Sequence, residues 1–239
     1  MDRAETESRK TLSVPPAATK YVLLQRTQLQ KYHFKFLKKI GIDYSKWLVD
    51  WESRRHHEEI SAGFLKSLQE DFNSLKPALP ERLDNLLDIG CGIAGIDVLL
   101  NDHYKGQLNI NLLDRTSIES RVYYDFHKQG AFYNSLELAR ETLIVNGVAP
   151  ERIRLFEAND HNRIPLKEPV DLVLSLISWG FHYPVATYLS EVERILAPEG
   201  RLILDIRQGS GGMEDLIRAF ARVEVLFQNP KYARVLARR

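Results

Sequence analysis

Apolar positions along the chain follow two different periods. Between residues 86 and 207, short continuous apolar runs alternate with stretches whose apolar residues recur every third or fourth position. That pattern predicts strands separated by helices, hence a parallel sheet with right-handed crossovers. Strands are expected near 86–89, 108–113, 152–157, 170–177 and 201–207. After a short helix near 213–221, the β-like runs 223–227 and 232–237 are separated only by Gln228, Asn229, Pro230 and Lys231. Strands joined so briefly must pair as an antiparallel hairpin. Upstream, Ile60, Phe64, Leu68, Phe72 and Leu75 step along one face of a helix. Asp43 or Ser45 can cap a helix carrying Trp47, Leu48 and Trp51, and Leu29, Phe36, Leu37 and Ile40 mark one over 22–40 that stops at Gly41. Residues 1 to 19, polar and holding Pro15 and Pro16, read as a loose arm.

The expected architecture is therefore α/β: a doubly wound sheet of seven strands, mostly parallel with a C-terminal antiparallel hairpin, preceded by N-terminal helices. Residues 1–57 are read as a flexible arm and helical cap, and residues 58–239 as the main domain. The segment 115–132 is longer than a crossover requires. It reads either as a lid carrying substrate contacts or as a surface helix in which Tyr123, Tyr124 and Phe126 pack.

The densest chemistry lies at the end of the first strand. Leu86, Leu87 and Ile89 form the buried run, and Gly90, Gly92 and Gly95 follow before a helix begins. The spacing G-x-G-x-x-G is a dinucleotide fingerprint, and a helix N-terminus behind it favours pyrophosphate. Asp88, two positions before the first glycine, argues for another ligand. Its carboxylate would face the crevice at the strand end, repelling a phosphate and attracting a cation such as an ammonium or sulfonium. A second strand ends at Asp114, nineteen residues beyond Gly95, where an acid can take ribose hydroxyls.

In these residues the chain resembles the class I S-adenosylmethionine-dependent methyltransferases, which have a Rossmann-like fold. Their first motif, acidic-x-Gly-x-Gly-x-Gly/Ala, is matched by Asp88, Gly90, Gly92 and Ala94. The run from Ile153 to Asp160, followed by Ile164 and Pro165, is similar to the family's segment whose Asp reaches the adenine amino group. That position is held by Asp160, with Asn159 beside it. The run 170–179 resembles the strand carrying the catalytic-face loop, and Pro198, Glu199 and Gly200 match the turn into the fifth strand. The resemblance implies S-adenosyl-L-methionine as cofactor, with S-adenosyl-L-homocysteine as product. It implies cofactor contacts from Asp88, Gly90, Cys91, Gly92, Asp114, Arg115, Asn159, Asp160 and Ser175.

Composition narrows the setting. The chain has 239 residues, 44% hydrophobic, enough for one substantial core. With 33 basic and 32 acidic residues it carries a net charge of +1, which supplies no general attraction to nucleic acid or anionic membrane. Arg218, Arg222, Lys231, Arg234, Arg238 and Arg239 form a small basic group near the end, read as a solvated tail. The single cysteine, Cys91, excludes an internal disulfide and fits a reducing compartment. The polar start lacks a signal peptide's apolar segment and no run reaches membrane-spanning length, so a cytoplasmic location is expected.

Methyl transfer from a sulfonium is a displacement in which the protein aligns the acceptor and, for a hydroxyl, removes a proton. His182, in the loop Ser178 to Pro184, is the first candidate base, and His127 the second. Trp179 and Tyr183 can wall the site, and the cluster Arg54, Arg55, His56 and His57 can hold an anion or form a solvated face. The Asn/Asp-Pro-Pro-Tyr/Phe signature of amino methyltransferases is absent, its place taken by Ser178, Trp179, Gly180 and Phe181. The acid set of the magnesium-dependent catechol-type subgroup is missing as well, and no metal is expected. The expected activity is thus O-methylation of a small hydroxylated metabolite such as a sugar, with no nucleic-acid partner. A nicotinamide oxidoreductase and a non-catalytic S-adenosylmethionine-binding regulatory protein stand as alternatives.

Overall fold

A computed structural model describes residues 9–31, 45–118 and 133–239. Three helices come first: α1 (Thr19–Gln25), α2 (Ser45–Arg55) and α3 (His57–Leu75). The alternating body follows as β1 (Asn85–Ile89), α4 (Gly95–His103), β2 (Asn109–Asp114), α5 (Leu136–Val145), β3 (Ile153–Glu157), β4 (Val170–Ser175), α6 (Leu189–Ile195), β5 (Leu196–Arg207), α7 (Gly212–Ala219), β6 (Arg222–Gln228) and β7 (Tyr232–Arg238). The seven strands form one sheet in the order β3-β2-β1-β4-β5-β7-β6. All pairs are parallel except those of β7, which runs antiparallel to both β5 and β6. The strand order reverses between β1 and β4. In an open α/β sheet that reversal places the ligand crevice outside the strand ends.

Strand alternation sorts the core into two layers. Leu86, Ile110, Leu112, Leu172, Leu174, Ile203 and Leu236 point toward the side of α3, α4 and α5. Leu87, Ile89, Leu113, Val173, Leu202, Leu204 and Val235 point toward α6 and α7. In the strands β1, β2, β4, β5 and β7 both faces are buried, which is why these read as apolar runs.

Three expectations are corrected. The arm is not loose over its described part: Leu12 and Val14 are buried in the main core. Arg9 donates to Asp102 (2.5 and 3.1 Å) and to Asn146 Oδ1 (2.7 Å). The expected helix over 22–40 ends at Gln25, because Arg26 leaves helical geometry (φ −126°, ψ 70°) and turns its guanidinium to Asp71 (2.8 Å) and Ser67 (2.6 Å) on α3. Residues 32–44 of that expected helix lie outside the described residues. Nor is the C-terminal basic group a free tail. Arg218 pairs with Asp215, Arg222 and Arg238 with Glu224, and Arg234 is buried. Among the described residues, no helix is long and apolar enough to cross a membrane.

Arg234 and Asp205 occupy apolar-strand positions whose alternation turns both toward α3. They are cross-strand neighbours on β7 and β5. The guanidinium donates to both Asp205 oxygens, Nε to Oδ1 at 2.7 Å and Nη2 to Oδ2 at 2.8 Å, and also to Ser74 (2.6 Å) and Asp71 (3.1 Å). Asp71 in turn accepts from Arg26, so one buried network ties β5, β7, α3 and the segment after α1 together.

Removing one partner of such a pair strands a buried charge, whereas removing both leaves only a polar-to-apolar exchange. Arg234→Met should therefore destabilise the fold by about 3–5 kcal/mol in urea unfolding. The double variant Arg234→Met, Asp205→Leu should lose less than the single one. A single variant within about 1 kcal/mol of the parent would show that the network contributes no stability.

Candidate functional site

The crevice is built by three strand ends and one strained loop. After β1, Gly90 (φ 76°) and Gly92 (φ 57°) adopt left-handed conformations that let the chain double back into α4. A side chain at Gly90 would run into Ser178, whose Oγ lies 1.8 Å from where a Cβ would stand. Ser178 reaches that point because β4 stops at Ser175, two residues before the expected end, and Ile177 takes φ 52°. A β-branched residue in this region costs about 1–3 kcal/mol and persists only when its surroundings enforce it. Here Asp205 Oδ2 accepts from Ile177 N (3.2 Å), and Ser175 Oγ accepts from Trp179 N (3.0 Å) while donating to Ile89 O (2.6 Å). The Trp179 indole donates to Val185 O (2.9 Å). The loop then continues as an extended strand, Ser178–Tyr183, which is not one of the seven.

Between these elements lies a cavity of about 230 Å³, at the carboxyl ends of β1, β2 and β3. Gly90, Asp114, Arg115, Asn159 and Asp160 line it, with Trp179, Tyr183 and Tyr188 supplying aromatic surface. Five of the nine expected cofactor residues thus meet at one cavity. Asp114 also holds the glycine turn, its Oδ2 accepting from Gly92 N (2.9 Å) and its Oδ1 from Arg115 N (2.7 Å). Arg115 and Asp160 face each other at the rim, 3.5 Å apart. Asn159 accepts from His161 N (3.0 Å), which shapes the turn after β3.

The other four expected residues sit elsewhere. Ser175 is fully buried and its hydroxyl is used inside the fold, so it latches the loop and does not reach the cavity. Cys91 is buried beside Asp114, Sγ to Oδ2 at 3.9 Å. Burial, then the charges of Asp114, Asp88 and Asp97, push its thiol pKa well up, which makes it a poor nucleophile. Gly92 carries its N–H to Asp114. Asp88 lies at the strand end but shares a face with Leu86, so its carboxyl is buried on the α4 side.

That orientation brings Asp88 against Asp97 in the first turn of α4, a residue that spacing arguments missed. Asp97 is completely buried, and neither of its carboxyl oxygens has a hydrogen-bond partner among the described residues. Burial raises its pKa to about 7. Asp88 is raised well above the usual carboxylate range by burial and then by Asp97 and Asp114. Asp114 rises to about 6, again through burial, with Glu157 of β3 adding to it and the Gly92 and Arg115 N–H groups opposing. The signal for Asp97 was its type alone: a charged residue within an apolar helix face, between Ile96 and Val98.

His182 lies on the Ser178–Tyr183 strand, its ring edge-on to Phe181 at 5.0 Å. Its Nδ1 is buried without a partner among the described residues, and burial and then Arg207 lower its pKa below 6.5. It does not line the cavity, although Tyr183 next to it does. His127 lies outside the described residues. The cluster before α3 is committed to structure in part: His57 Nδ1 meets Thr19 Oγ1 at 2.6 Å and His56 faces Glu59 at 3.5 Å.

No family model and no curated protein sequence matches the chain. Solved structures do match it. A precorrin-6y C5,15-methyltransferase from Geobacter metallireducens GS-15 is 17% identical, covering 72% of this chain and 87% of that one with a TM-score of 0.50. The S-adenosylmethionine-dependent methyltransferase SibL is 18% identical over 93% of this chain and 69% of that one, with a TM-score of 0.51. StiE O-MT is 14% identical over 88% of this chain and 83% of that one, with a TM-score of 0.52. The chain has the Rossmann-like fold of the class I methyltransferases.

The acid cluster has a consequence for the ligand-free protein. Asp97 titrates near 7 in the fold against about 3.9 in an unfolded chain. Between those values the folded state binds the extra proton, so stability falls as pH rises through this window. Asp88 and Asp114, also raised, add with the same sign. The melting temperature should be higher at pH 6 than at pH 8. Asp97→Asn, permanently neutral, should raise it at pH 8 by about 2–4 °C, or roughly 1 kcal/mol, and flatten the profile. A pH-independent parent, or a less stable Asn variant at pH 8, would contradict this assignment.

Proposed function

We propose that this protein is an S-adenosylmethionine-dependent methyltransferase that methylates a hydroxyl of a small metabolite, such as a sugar, without a metal ion. The observation that carries the reading is the pairing of two features at the sheet's switch point. One is the cavity with acids and aromatic walls; the other is the carboxyl group of Asp97, buried beside Asp88 with both oxygens unpartnered. A buried carboxyl without hydrogen-bond donors stays ionised only beside a positive charge, and the cofactor carries two, on its ammonium and its sulfonium. A pyrophosphate, the group a nicotinamide cofactor would bring to the glycine turn, would be repelled there. The residues present therefore fit S-adenosylmethionine better than NAD.

Bound, S-adenosylmethionine supplies an electrophilic methyl group on a sulfonium leaving group. The chain's part is orientation and proton removal. Asp114 stands at the end of β2, where its free lone pairs can accept from ribose hydroxyls, while Asn159 and Asp160 offer the polar edge for an adenine. His182 is the base we assign. Its depressed pKa keeps the imidazole neutral near pH 7, and its buried Nδ1 is uncommitted among the described residues. The strained Ile177 turn fixes the start of the strand on which His182 lies.

Two observations support the finer points. The hydroxyl acceptor is favoured by the presence of a neutral, half-buried histidine, since a hydroxyl needs a base and a thiolate does not, and by the fold neighbour StiE O-MT, an O-methyltransferase by its name. Metal independence is supported by Asp205, the acid at the end of β5, whose two oxygens are occupied by Arg234 and Ile177 N.

Calorimetry should detect binding of S-adenosylmethionine and S-adenosylhomocysteine but not NAD, and Asp114→Ala should weaken S-adenosylhomocysteine by about 10- to 150-fold, the worth of a charge-assisted hydrogen bond. Tight NAD binding would favour the oxidoreductase. In a methyl-transfer screen over sugars and phenols, turnover should survive EDTA. His182→Ala should lower kcat by about 10²- to 10⁴-fold with cofactor affinity unchanged, and the parent's rate should fall as pH drops below the imidazole pKa. Full turnover by the variant with an unaltered pH profile would remove His182 from the mechanism.

A further inference from the structure

Helix α2 presents its aromatic residues to solvent. Leu48, Val49, Glu52 and Ser53 are buried against the rest of the protein, whereas Trp47 (65% exposed), Trp51 (41%), Arg54 and Arg55 lie on the opposite face, at positions i, i+4, i+7 and i+8. Trp51 packs edge-on to His56 at 6.1 Å, and Trp47 stands further out. The acids of α2 are turned away from this face. Asp50 is half-buried and acts on Tyr21 of α1, whose pKa is raised by burial and then by Asp50, and Glu52 accepts from Lys31 N (2.6 Å). Arg9, Arg26, Arg218, Arg222 and Arg238 all face carboxylates. Arg54 and Arg55 have no such partner among the described residues. Of the two acids that open α3, Glu59 faces Lys31 and His56, which leaves Glu58 against two arginines.

The course of α3 places this face at the crevice end of the molecule. Phe64 and Leu68, midway along α3, pack on Gly95 at the start of α4, where a Cβ would stand 2.7 Å from each. The far end leads to Ala78, whose carbonyl accepts from Arg201 (2.7 Å), the neighbour of Leu172 near the start of β4. His57 comes seven residues before Phe64, so it stands about 10 Å beyond the glycine turn on the crevice side. α2 ends at Arg55, two residues earlier.

Arginines in a last turn complement the negative end of a helix, which accounts for the charges and leaves the exposed indoles unexplained. The combination specifies the ligand. A bare oxyanion would use the guanidinium groups alone, and an uncharged ring the indoles alone. A flat base joined to phosphates uses both, since bases stack on aromatic faces and arginine pairs with phosphate oxygens. A long single strand would need cations along an extended groove, and this face offers two.

We propose that the exposed face of α2 holds the nucleoside diphosphate of a nucleotide-linked acceptor, the base stacked on Trp47 and Trp51, the phosphates paired with Arg54 and Arg55, and the linked group reaching the crevice beneath. The proposal rests on the methyltransferase reading above and names its substrate class. It also gives the N-terminal helices a part in choosing the acceptor.

The chain has three tryptophans and Trp179 is fully buried, so fluorescence quenching by a stacked base reports on α2. With S-adenosylhomocysteine saturating the cofactor site, UDP should quench the parent and, by calorimetry, bind more tightly than uridine or pyrophosphate, which each carry half of the group. Trp47→Ala should weaken UDP about fivefold or more and change pyrophosphate by less than about twofold. Arg54→Gln combined with Arg55→Gln should weaken UDP and pyrophosphate about tenfold or more and leave uridine unchanged. All three positions are exposed, so these variants keep the fold. UDP-linked sugars should be methylated with a higher kcat/KM than the free sugars, and both variants should lose that preference. UDP binding no tighter than pyrophosphate, or equal in parent and variants, would overturn the site, as would a ten-nucleotide RNA strand binding more than about tenfold tighter than UDP, which would make the occupant nucleic acid. Cofactor binding is read separately: failure confined to UDP would overturn the α2 site alone, and a parent that binds no S-adenosylhomocysteine would overturn both readings.

Discussion

The buried ion pair of Arg234 with Asp205 is the constraint on which the arrangement of this molecule turns. Each charge sits where strand alternation and the apolar flanking residues would otherwise place a leucine or valine, and each is desolvated. Neither is tolerable alone. The pair fixes the register of β7 against β5, and the guanidinium's remaining donors reach Ser74 and Asp71 on α3. Through Asp71 the network extends to Arg26, just after α1. The same Asp205 carboxylate accepts from Ile177 N, which helps to hold a β-branched residue in a conformation it would leave if free. One desolvated charge cluster thus joins the C-terminal hairpin, the N-terminal segment and the loop that shapes the crevice. This is stored geometry: the cost of burying charge is offset by fixing three distant parts of the chain together.

The crevice relies on a second cluster that is deliberately less satisfied. Asp88, Asp97 and Asp114 crowd the glycine turn with raised pKa values, and burial is the first cause in all three. The contrast with the first cluster is chemical. Asp205 has a guanidinium fixed against it by the chain, whereas Asp97 has no such partner among the described residues. A fold that leaves carboxyls in that condition is less stable by itself and gains by binding a cation, since a ligand that binds only the folded state adds to its stability. The N-terminal segment participates in both clusters: Arg26 enters the first, and Gln25, one residue earlier, lies over the second.

Much of this was legible in the chain. The alternation of apolar runs with helical periodicity identified the seven strands of the sheet and their helices, because burial on both faces leaves a continuous apolar signature in the central strands. The four-residue connection between the last two strands required an antiparallel pair. Five cofactor-site candidates, Gly90, Asp114, Arg115, Asn159 and Asp160, gather at one cavity because each follows directly on a strand end, and strand ends converge in this topology. What sequence order conveys in such a fold is position along a strand, and position along a strand is what puts a residue at the crevice.

Which way a side chain faces, and what stands opposite, was decided only by the tertiary structure. Asp88 was readable as a strand-end acid, but its pairing with Asp97 depends on the pleat that turns it toward α4. Ser175 has the right address for a cofactor contact, yet its hydroxyl is taken by Ile89 O and Trp179 N. Arg234 counted as one more charge in a basic tail until β7 placed it opposite Asp205. The polar residues 9–18 read as an arm because nothing local shows that Arg9 will meet Asp102 and Asn146. Period and punctuation are properties of neighbouring residues, so the sequence alone determines elements, their order and the crevice. Partnerships between residues far apart in the chain depend on how those elements are stacked, and there the physics of burial assigned the roles.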